Sequence, residues 1–484
     1  MSADRTIRRA IIAFGIFLLL LPLAIRALHH APLLPGGAGY GHARVADLIA
    51  HQGIPAQDPA MPERPYLFSI FDLLLAAVSR IVGITGAALL VPFLLGLGTL
   101  ACMALVARRW HLPAAVATGA QAVFVISPLF ADVFTQATPR ALELFLTILY
   151  LFVLSPSNPR PSVGGKIAHA LFAAAIAAAL ATFGVVPAIA AFALPLLLRS
   201  VNRRIPKYLS FASLAAFLVL VAFALPAFLQ QESAPFAAQA PVVLAISAFG
   251  GGNGLSLFAW MLALIGMIIF WRFKKRYYAM MFALTLLFLV ALAVPSALIL
   301  AHVAVSLLAG AALAFFAQMK WSFDDIRVLT LLVLLCGLLF STLAHAMDIA
   351  QGPPTVAFRD AALAAKSALP ANTTMLAYPD DGFWLEYWSG ERMLLDGWIA
   401  RTPRVDQRWA AAQAVWHAQD ISHARQALYA NNIGAVVITE AMRDGQVWDL
   451  PEQDLLFLLR NNETFKRTYH SSIVDIWSVL PEHS

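Results

Sequence analysis

The chain has 484 residues, of which 60% are hydrophobic and only 12% are charged, and its mean hydropathy is +0.75. Soluble domains carry about 25% charged residues, so this composition excludes a soluble globular enzyme, a disordered chain and a coiled coil. The net charge of +6 does not indicate nucleic-acid binding, because the basic residues form short clusters between apolar runs. The remaining class is a helical membrane protein with many spans.

Eleven apolar runs predict membrane-spanning helices, since about 20 apolar residues cross a bilayer as a helix. They fall at 10–28, 86–107, 113–128, 140–154, 167–182, 184–198, 208–229, 254–271, 277–294, 297–318 and 327–348. The runs 167–182 and 184–198 could instead form one kinked hairpin. The run 66–84 is ambiguous, because Asp72 and Arg80 interrupt it.

Clusters of Lys and Arg between these runs predict the topology, since they favour the cytoplasmic side of a membrane. With 66–84 excluded as a span, all six basic clusters fall inside the cell, and 66–84 is expected along the outer leaflet. The protein is then expected in the cell membrane, with its N-terminus inside the cell and the loops 29–85 and 230–253 outside. Long loops in a compact membrane protein usually carry function.

The composition changes near residue 350, where the apolar runs stop and charged residues return. This change predicts a polytopic transmembrane domain over 1–348 and an external soluble α/β domain over 349–484. Helical patterns cover 355–368, 404–430 and 451–461, and strand patterns cover 375–378, 435–439 and 472–480.

Polar residues on the predicted external segments are the first candidates for chemistry. Arg44 could bind a phosphate bidentately through its guanidinium. His42 could donate a hydrogen bond to the same phosphate or bind a metal. The alternative for this segment is a helix N-terminus whose polar residues face water. The acids Asp132 and Glu143 lie near the membrane surface, where an unpaired acid is costly, although Arg140 is a sufficient partner for Glu143.

Three further places on the sequence are candidates. Glu232 lies on a long loop that ends in glycines, which is typical either of a solvated loop or of a substrate-engaging lid. His302 lies within a predicted span and is either a packing residue or a contact for an anionic lipid head. Asp380, Gly382 and Trp384 open an acidic, aromatic segment, expected to be a loop that binds a peptide or sugar, or else part of the domain core.

The order of these motifs resembles the catalytic subunit of oligosaccharyltransferase in its single-subunit archaeal and bacterial form, within the GT-C class of membrane glycosyltransferases. The segments 40–44 and 53–59 match the family's Tyr-Tyr-His-Leu-Arg and Gly-x-Pro-x-x-Asp-Pro motifs. Ala38 stands where the family has a metal-binding Asp. The other matching positions are Glu232, Pro235, Asp380, Gly382, Gly390, Arg392, Asp396 and Gly397.

The resemblance implies a GT-C-like fold and transfer of a glycan from a polyprenyl-phosphate-linked donor to an external acceptor, for example a protein. It implies Glu232 and Asp132 as catalytic residues, and Asp132 and Glu143 as ligands of a divalent cation, Mg²⁺ or Mn²⁺. The implied substrate-binding residues are His42, Arg44, His302, Asp380, Gly382 and Trp384. The alternatives are a non-catalytic relative that binds a polyprenyl lipid or glycan as a membrane scaffold and, less favoured, a transporter.

Overall fold

The computed structural model describes residues 2–65, 69–155, 163–201, 209–224, 246–247, 254–272, 274–450 and 452–481. These residues form two compact units. The membrane unit contains residues 2–25 and the described residues between 89 and 351. The C-terminal unit contains Arg26–Ala88 and the described residues from Gly352 onward. The domain boundary and the external placement given above stay predictions.

The protein is a multi-pass helical membrane protein. Its long apolar helices and helical segments are Ser2–Leu28, Ile70–Arg109, Ala114–Val125, Pro128–Thr135, Pro139–Val153, Val163–Ala181, Val185–Val201, Ser210–Val219, Leu257–Trp271, Lys274–Ala293, Leu298–Gln318 and Asp324–Gln351. Among the described residues, four helices are long and apolar enough to cross a membrane, or five if one bent pair forms a span. Five more apolar helices are shorter, so the number of about 11 spans stays a prediction.

The helix Ile70–Arg109 covers the ambiguous run from residue 70 onward and the predicted span 86–107, while residues 66–68 lie outside the described residues. Its 40 residues would extend about 60 Å, twice the hydrocarbon core of about 30 Å. Gly83 interrupts the helix at φ 75° and ψ 163°, a conformation that a residue without a Cβ adopts readily. The side of the membrane on which 66–84 lies stays a prediction.

Small residues set the packing of two helices in the membrane unit. A Cβ on Gly310 would lie 2.2 Å from the backbone nitrogen of Ala120, and one on Gly119 would lie 2.8 Å from the carbonyl oxygen of Gly310. Only glycine permits this approach, which is a common device where helices pack in lipid. The crossing brings the helix Leu298–Gln318 against the helix Ala114–Val125.

A mixed five-stranded sheet forms the centre of the C-terminal unit. Its strands lie in the order Arg392–Met393, Thr374–Leu376, Ile433–Thr439, Val474–Val479 and Phe465–His470, the first three parallel and the last two antiparallel to their neighbours. The helices of this unit are Ala38–Gln52, Val356–Ala368, Pro379–Ser389, Val405–Trp416, Ile421–Ala430 and Leu455–Leu458. Two short strands, Gln57–Asp58 and Met61–Pro65, form a hairpin, and a further short pair, Ile246–Ser247 and Leu255–Ser256, belongs to the membrane unit.

The acidic, aromatic segment that begins at Tyr378 differs from the loop expected from the sequence, because it forms the helix Pro379–Ser389. Pro379 occupies the first helical turn, where its missing N–H costs nothing. Asp380 and Asp381 follow in the same turn, at the positive end of the helix dipole. Gly390 ends the helix in the left-handed conformation.

Candidate functional site

A break between two helices of the membrane unit places Asp132. The helices Ala114–Val125 and Pro128–Thr135 are bent by 61°, because Pro128 has no N–H to continue the hydrogen bonds of the first helix. Asp132 lies in the middle of the second helix and is only 5% exposed. A buried carboxylate is costly unless it has partners, so its surroundings decide what it can do.

Among the described residues, three nitrogen-bearing side chains surround the Asp132 carboxylate. Gln136 Nε2 donates a hydrogen bond to Oδ1 at 2.5 Å, and His345 Nε2 lies 3.6 Å from the same oxygen. Arg140 Nη1 lies 4.0 Å from Oδ2, and the Arg140 side chain is 47% exposed. The ion pair of Arg140 in the structure is therefore with Asp132.

His345, like Gln136, is a residue of this cluster that the sequence analysis missed. It is buried on the helix Asp324–Gln351, near the end of an apolar run. A histidine inside a span is itself a signal, because ionisable residues are rare there and tend to be functional. Its partner is far away in the sequence, so the pairing with Asp132 had no local signal.

Glu143 and His302 are the other two candidates in the membrane unit, and both are buried. Glu143 is buried, and its Oε1 has no hydrogen-bond partner among the described residues. His302 is buried, stacks on Phe124 at 4.3 Å between ring centroids, and its Nε2 lies 3.2 Å from the carbonyl oxygen of Phe124. That carbonyl belongs to the last turn before the helix break, where it lacks a helical partner. His302 thus stabilises the break that precedes Asp132.

His42 lies on the helix Ala38–Gln52 of the C-terminal unit and faces inward. Its Nδ1 is 2.7 Å from Oδ1 of Asp72, and both side chains are buried. The edges of Phe71 and Trp398 pack against the imidazole at 5.9 and 5.3 Å between ring centroids. The carboxylate fixes the orientation of the ring, and Nε2 makes no hydrogen bond within the described part of the chain.

Arg44 belongs to a buried network of two arginines and three acids. Its Nη1 and Nη2 donate to the two oxygens of Asp58 at 2.7 and 2.9 Å, and its Nε lies 3.2 Å from Oε2 of Glu386. Arg64 donates to both Asp58 and Asp396. The guanidinium of Arg44 thus binds a carboxylate of the protein itself, through two hydrogen bonds.

The network contains one more acid than base, and burial acts on its members differently. Although burial opposes it, the hydrogen bonds and charge of Arg44, with the charge of Arg64, lower the pKa of Asp58 to about 2. Burial raises the pKa of Glu386, against the charge of Arg44 and together with that of Asp396. A protonated Glu386 makes the network neutral, which reduces the cost of burying it.

The candidates of the helix Pro379–Ser389 serve mainly to pack the C-terminal unit. Trp384 is 3% exposed, and its Nε1 donates to the carbonyl oxygen of Gly36 at 3.1 Å. A Cβ on Gly382 would lie 2.8 Å from the Cα of Asp396. Asp380, by contrast, is exposed, and its carboxylate is reachable from solvent. Glu232 and Pro235 lie outside the described residues.

The residues described here do not fit a site for Mg²⁺ or Mn²⁺. These ions require several oxygen ligands, and no group of three His, Cys, Asp or Glu side chains is placed to hold a metal in the part of the chain that the structure describes. At Asp132 the neighbours are an amide, a guanidinium and an imidazole. The guanidinium would repel a cation at this carboxylate.

The chain matches no protein-family model and no curated protein. It is similar to solved structures of membrane glycosyltransferases. The apo oligosaccharyltransferase of Archaeoglobus fulgidus aligns at a TM-score of 0.67 and 12% identity, over 96% of this chain and 73% of that one. The same enzyme, AglB, in complex with an inhibitory peptide and a dolichol-phosphate, aligns at 0.66 and 13%, over 96% and 72%.

A second kind of transferase is similar over its whole length. ArnT from Cupriavidus metallidurans, bound to undecaprenyl phosphate, aligns at a TM-score of 0.57 and 12% identity, over 98% of both chains. The GT-C-like fold that the sequence motifs predicted is therefore confirmed, with a membrane domain and a C-terminal domain that contains a sheet.

Proposed function

We propose that the protein is a membrane glycosyltransferase that moves a sugar or glycan from a polyprenyl-phosphate-linked donor to an acceptor on the external face of the cell membrane. The fold supports this proposal, because the similar structures include transferases that hold dolichol-phosphate or undecaprenyl phosphate. The single observation that carries it is the buried carboxylate of Asp132, which lies at a broken helix. An amide, an imidazole and a guanidinium lie within 4.0 Å of its oxygens and orient it.

The acceptor and the further site residues belong to the same proposal. One structure of the archaeal enzyme is tethered to an acceptor peptide, so a protein acceptor is one candidate. Glu232 is proposed as a second catalytic acid. His42, whose Nε2 makes no hydrogen bond to the described residues, is proposed as a substrate contact. Another structure of that enzyme holds Zn and sulfate, but the described residues around Asp132 give a divalent cation no support.

The competing proposal is a non-catalytic relative that binds a polyprenyl lipid or glycan as a scaffold. Two observations favour it. Both terminal nitrogens of Arg44 already donate to Asp58, and Ala38 stands where the family that the sequence resembles has an acid. A protein that only binds lipid needs neither Asp132 nor Glu232 as an ionised acid. The two proposals therefore differ in the response to charge-removing variants.

The test uses purified protein in nanodiscs and a lipid extract that carries tritiated sugars on polyprenyl phosphate. For a transferase, label leaves the organic phase with the parent protein, and Asp132→Asn or Glu232→Gln reduces the rate by at least roughly 100-fold. For a scaffold, the parent retains undecaprenyl phosphate in native mass spectrometry but releases no label, and the variants behave like the parent.

A further inference from the structure

Asp132 has nitrogen donors around it where a metal site would have oxygen ligands. Gln136 donates to Oδ1 at 2.5 Å, His345 Nε2 faces the same oxygen at 3.6 Å, and Arg140 Nη1 is 4.0 Å from Oδ2. Donor groups stabilise the carboxylate anion directly, and a divalent cation would displace or repel them. This environment disfavours a metal ion at the carboxylate.

The two oxygens of Asp132 are placed differently. Oδ1 accepts the hydrogen bond from Gln136 and faces His345. Within the part of the chain that the structure describes, Oδ2 faces the guanidinium of Arg140, at 4.0 Å and on a half-exposed side chain. A carboxylate held through one oxygen presents the other in a fixed direction, which is the arrangement that proton transfer requires.

The side chain of His345 is buried and lies near the carboxylate of Asp132. Its Nε2 is shielded from solvent and makes no hydrogen bond within the described residues, and such a nitrogen destabilises the fold. The 3.6 Å to Asp132 Oδ1 is too long for a hydrogen bond and too short for a water between the two atoms, which needs about 5.5 Å. A movement of roughly half an ångström would close the contact.

We infer that Asp132 acts as a metal-free general base and that His345 and Gln136 are the positioning residues that orient it, an inference that rests on the proposed transfer function. Oδ2 accepts the proton of an acceptor O–H or N–H group. The acceptor atom bonds to the anomeric carbon of the sugar while the bond from that carbon to the phosphate oxygen breaks. The bonding electrons leave on the phosphate, so the carrier departs as polyprenyl phosphate.

The kinetic test uses the nanodisc assay with the tritiated lipid extract. His345→Ala is expected to lower kcat by roughly 10- to 100-fold with an unchanged KM for the donor lipid, because the imidazole that orients the Asp132 carboxylate is lost. His345→Gln restores most of the rate, since its amide N–H reaches Oδ1. Asp132→Asn combined with His345→Ala is no slower than Asp132→Asn alone.

The matched control is Ser341→Ala, which removes a buried polar group one turn earlier on the same helix and leaves the rate unchanged. Equal rates for His345→Ala and Ser341→Ala would overturn the positioning role of His345. So would a His345→Gln variant as slow as His345→Ala.

A binding measurement separates the metal-free assignment from the transfer function. Titration of the purified protein with Mn²⁺, followed by electron paramagnetic resonance, is expected to show no stoichiometric site, and a chelator leaves transfer unchanged. One bound Mn²⁺ that Asp132→Asn abolishes would overturn the inference. A parent protein without transfer contradicts the proposed function, whereas the Mn²⁺ titration still decides whether Asp132 binds metal.

Discussion

The guanidinium of Arg44 is forked onto the carboxylate of Asp58, with Nη1 2.7 Å from Oδ1 and Nη2 2.9 Å from Oδ2. The same carboxylate accepts from Arg64, which also pairs with Asp396. The pair thus ties the helix Ala38–Gln52 to the hairpin that follows it and, through Arg64 and Asp396, to the loop that follows the strand Arg392–Met393. Its first consequence is for stability.

Arg44→Lys is expected to destabilise the protein by about 1–2 kcal/mol, because lysine keeps the charge but cannot form the two parallel hydrogen bonds. Thermal unfolding in detergent measures the effect. Arg404→Lys is the matched control, since Arg404 pairs with Glu63 at an exposed site worth about 0–1 kcal/mol. Weaker binding of undecaprenyl phosphate by Arg44→Lys at unchanged stability would instead support a phosphate contact.

Gly382→Ala is expected to lower the stability of the protein by about 1–3 kcal/mol, as overpacking does. The added methyl group would lie 2.8 Å from the Cα of Asp396, and the backbone must move to accept it. The unfolding midpoint measures this, with Ser367→Ala as a control at an exposed position of the same unit that changes the midpoint little. An unaltered midpoint for Gly382→Ala would show that the contact relaxes freely.

Asp381 makes stability depend on pH. Burial, together with the charge of Asp380, raises its pKa to about 7. A carboxyl whose folded pKa is raised destabilises the folded state as pH rises from about 4 to about 7, because folding then opposes ionisation. Asp381→Asn should therefore be more stable than the parent above pH 7, by up to roughly 4 kcal/mol, and the difference should vanish near pH 4. A difference that is independent of pH contradicts this assignment.

His302→Phe tests whether His302 packs or binds. Phenylalanine keeps the stacking on Phe124 but loses the contact to its carbonyl oxygen, so about 1 kcal/mol of stability should be lost while the parent KM for the lipid donor is retained. The nanodisc assay and thermal unfolding measure both quantities. A raised KM with unchanged stability would establish His302 as a contact to the donor.

Local patterns in the sequence predicted local structure well. The helix expected at 355–368 is Val356–Ala368, and the strand expected at 435–439 lies within Ile433–Thr439, because hydrophobic periodicity and β-branched runs act over a few residues. The segment 404–430 was predicted helical as a whole, and the structure divides it into two helices, Val405–Trp416 and Ile421–Ala430.

The site was harder to predict than the fold, since its pairings join distant parts of the chain. Asp132 was recognised from its position at a predicted membrane surface. His345 was not, and nothing near it in the sequence points to Asp132. The partner of His42 is Asp72, which the sequence analysis treated only as an interruption of an apolar run. Tertiary packing decides such pairs, and a single sequence does not record it.

The most direct test of the proposed transfer from a lipid-linked donor needs no assumption about the sugar or the acceptor. Cells that carry Asp132→Asn as the only copy of the protein are compared with cells that carry the parent, at equal protein levels, and their polyprenyl-phosphate-linked sugars are quantified by mass spectrometry. A transferase without its base leaves its donor unused, so one lipid-linked sugar should accumulate several-fold in the variant. Identical lipid-linked pools in the two strains would contradict the account.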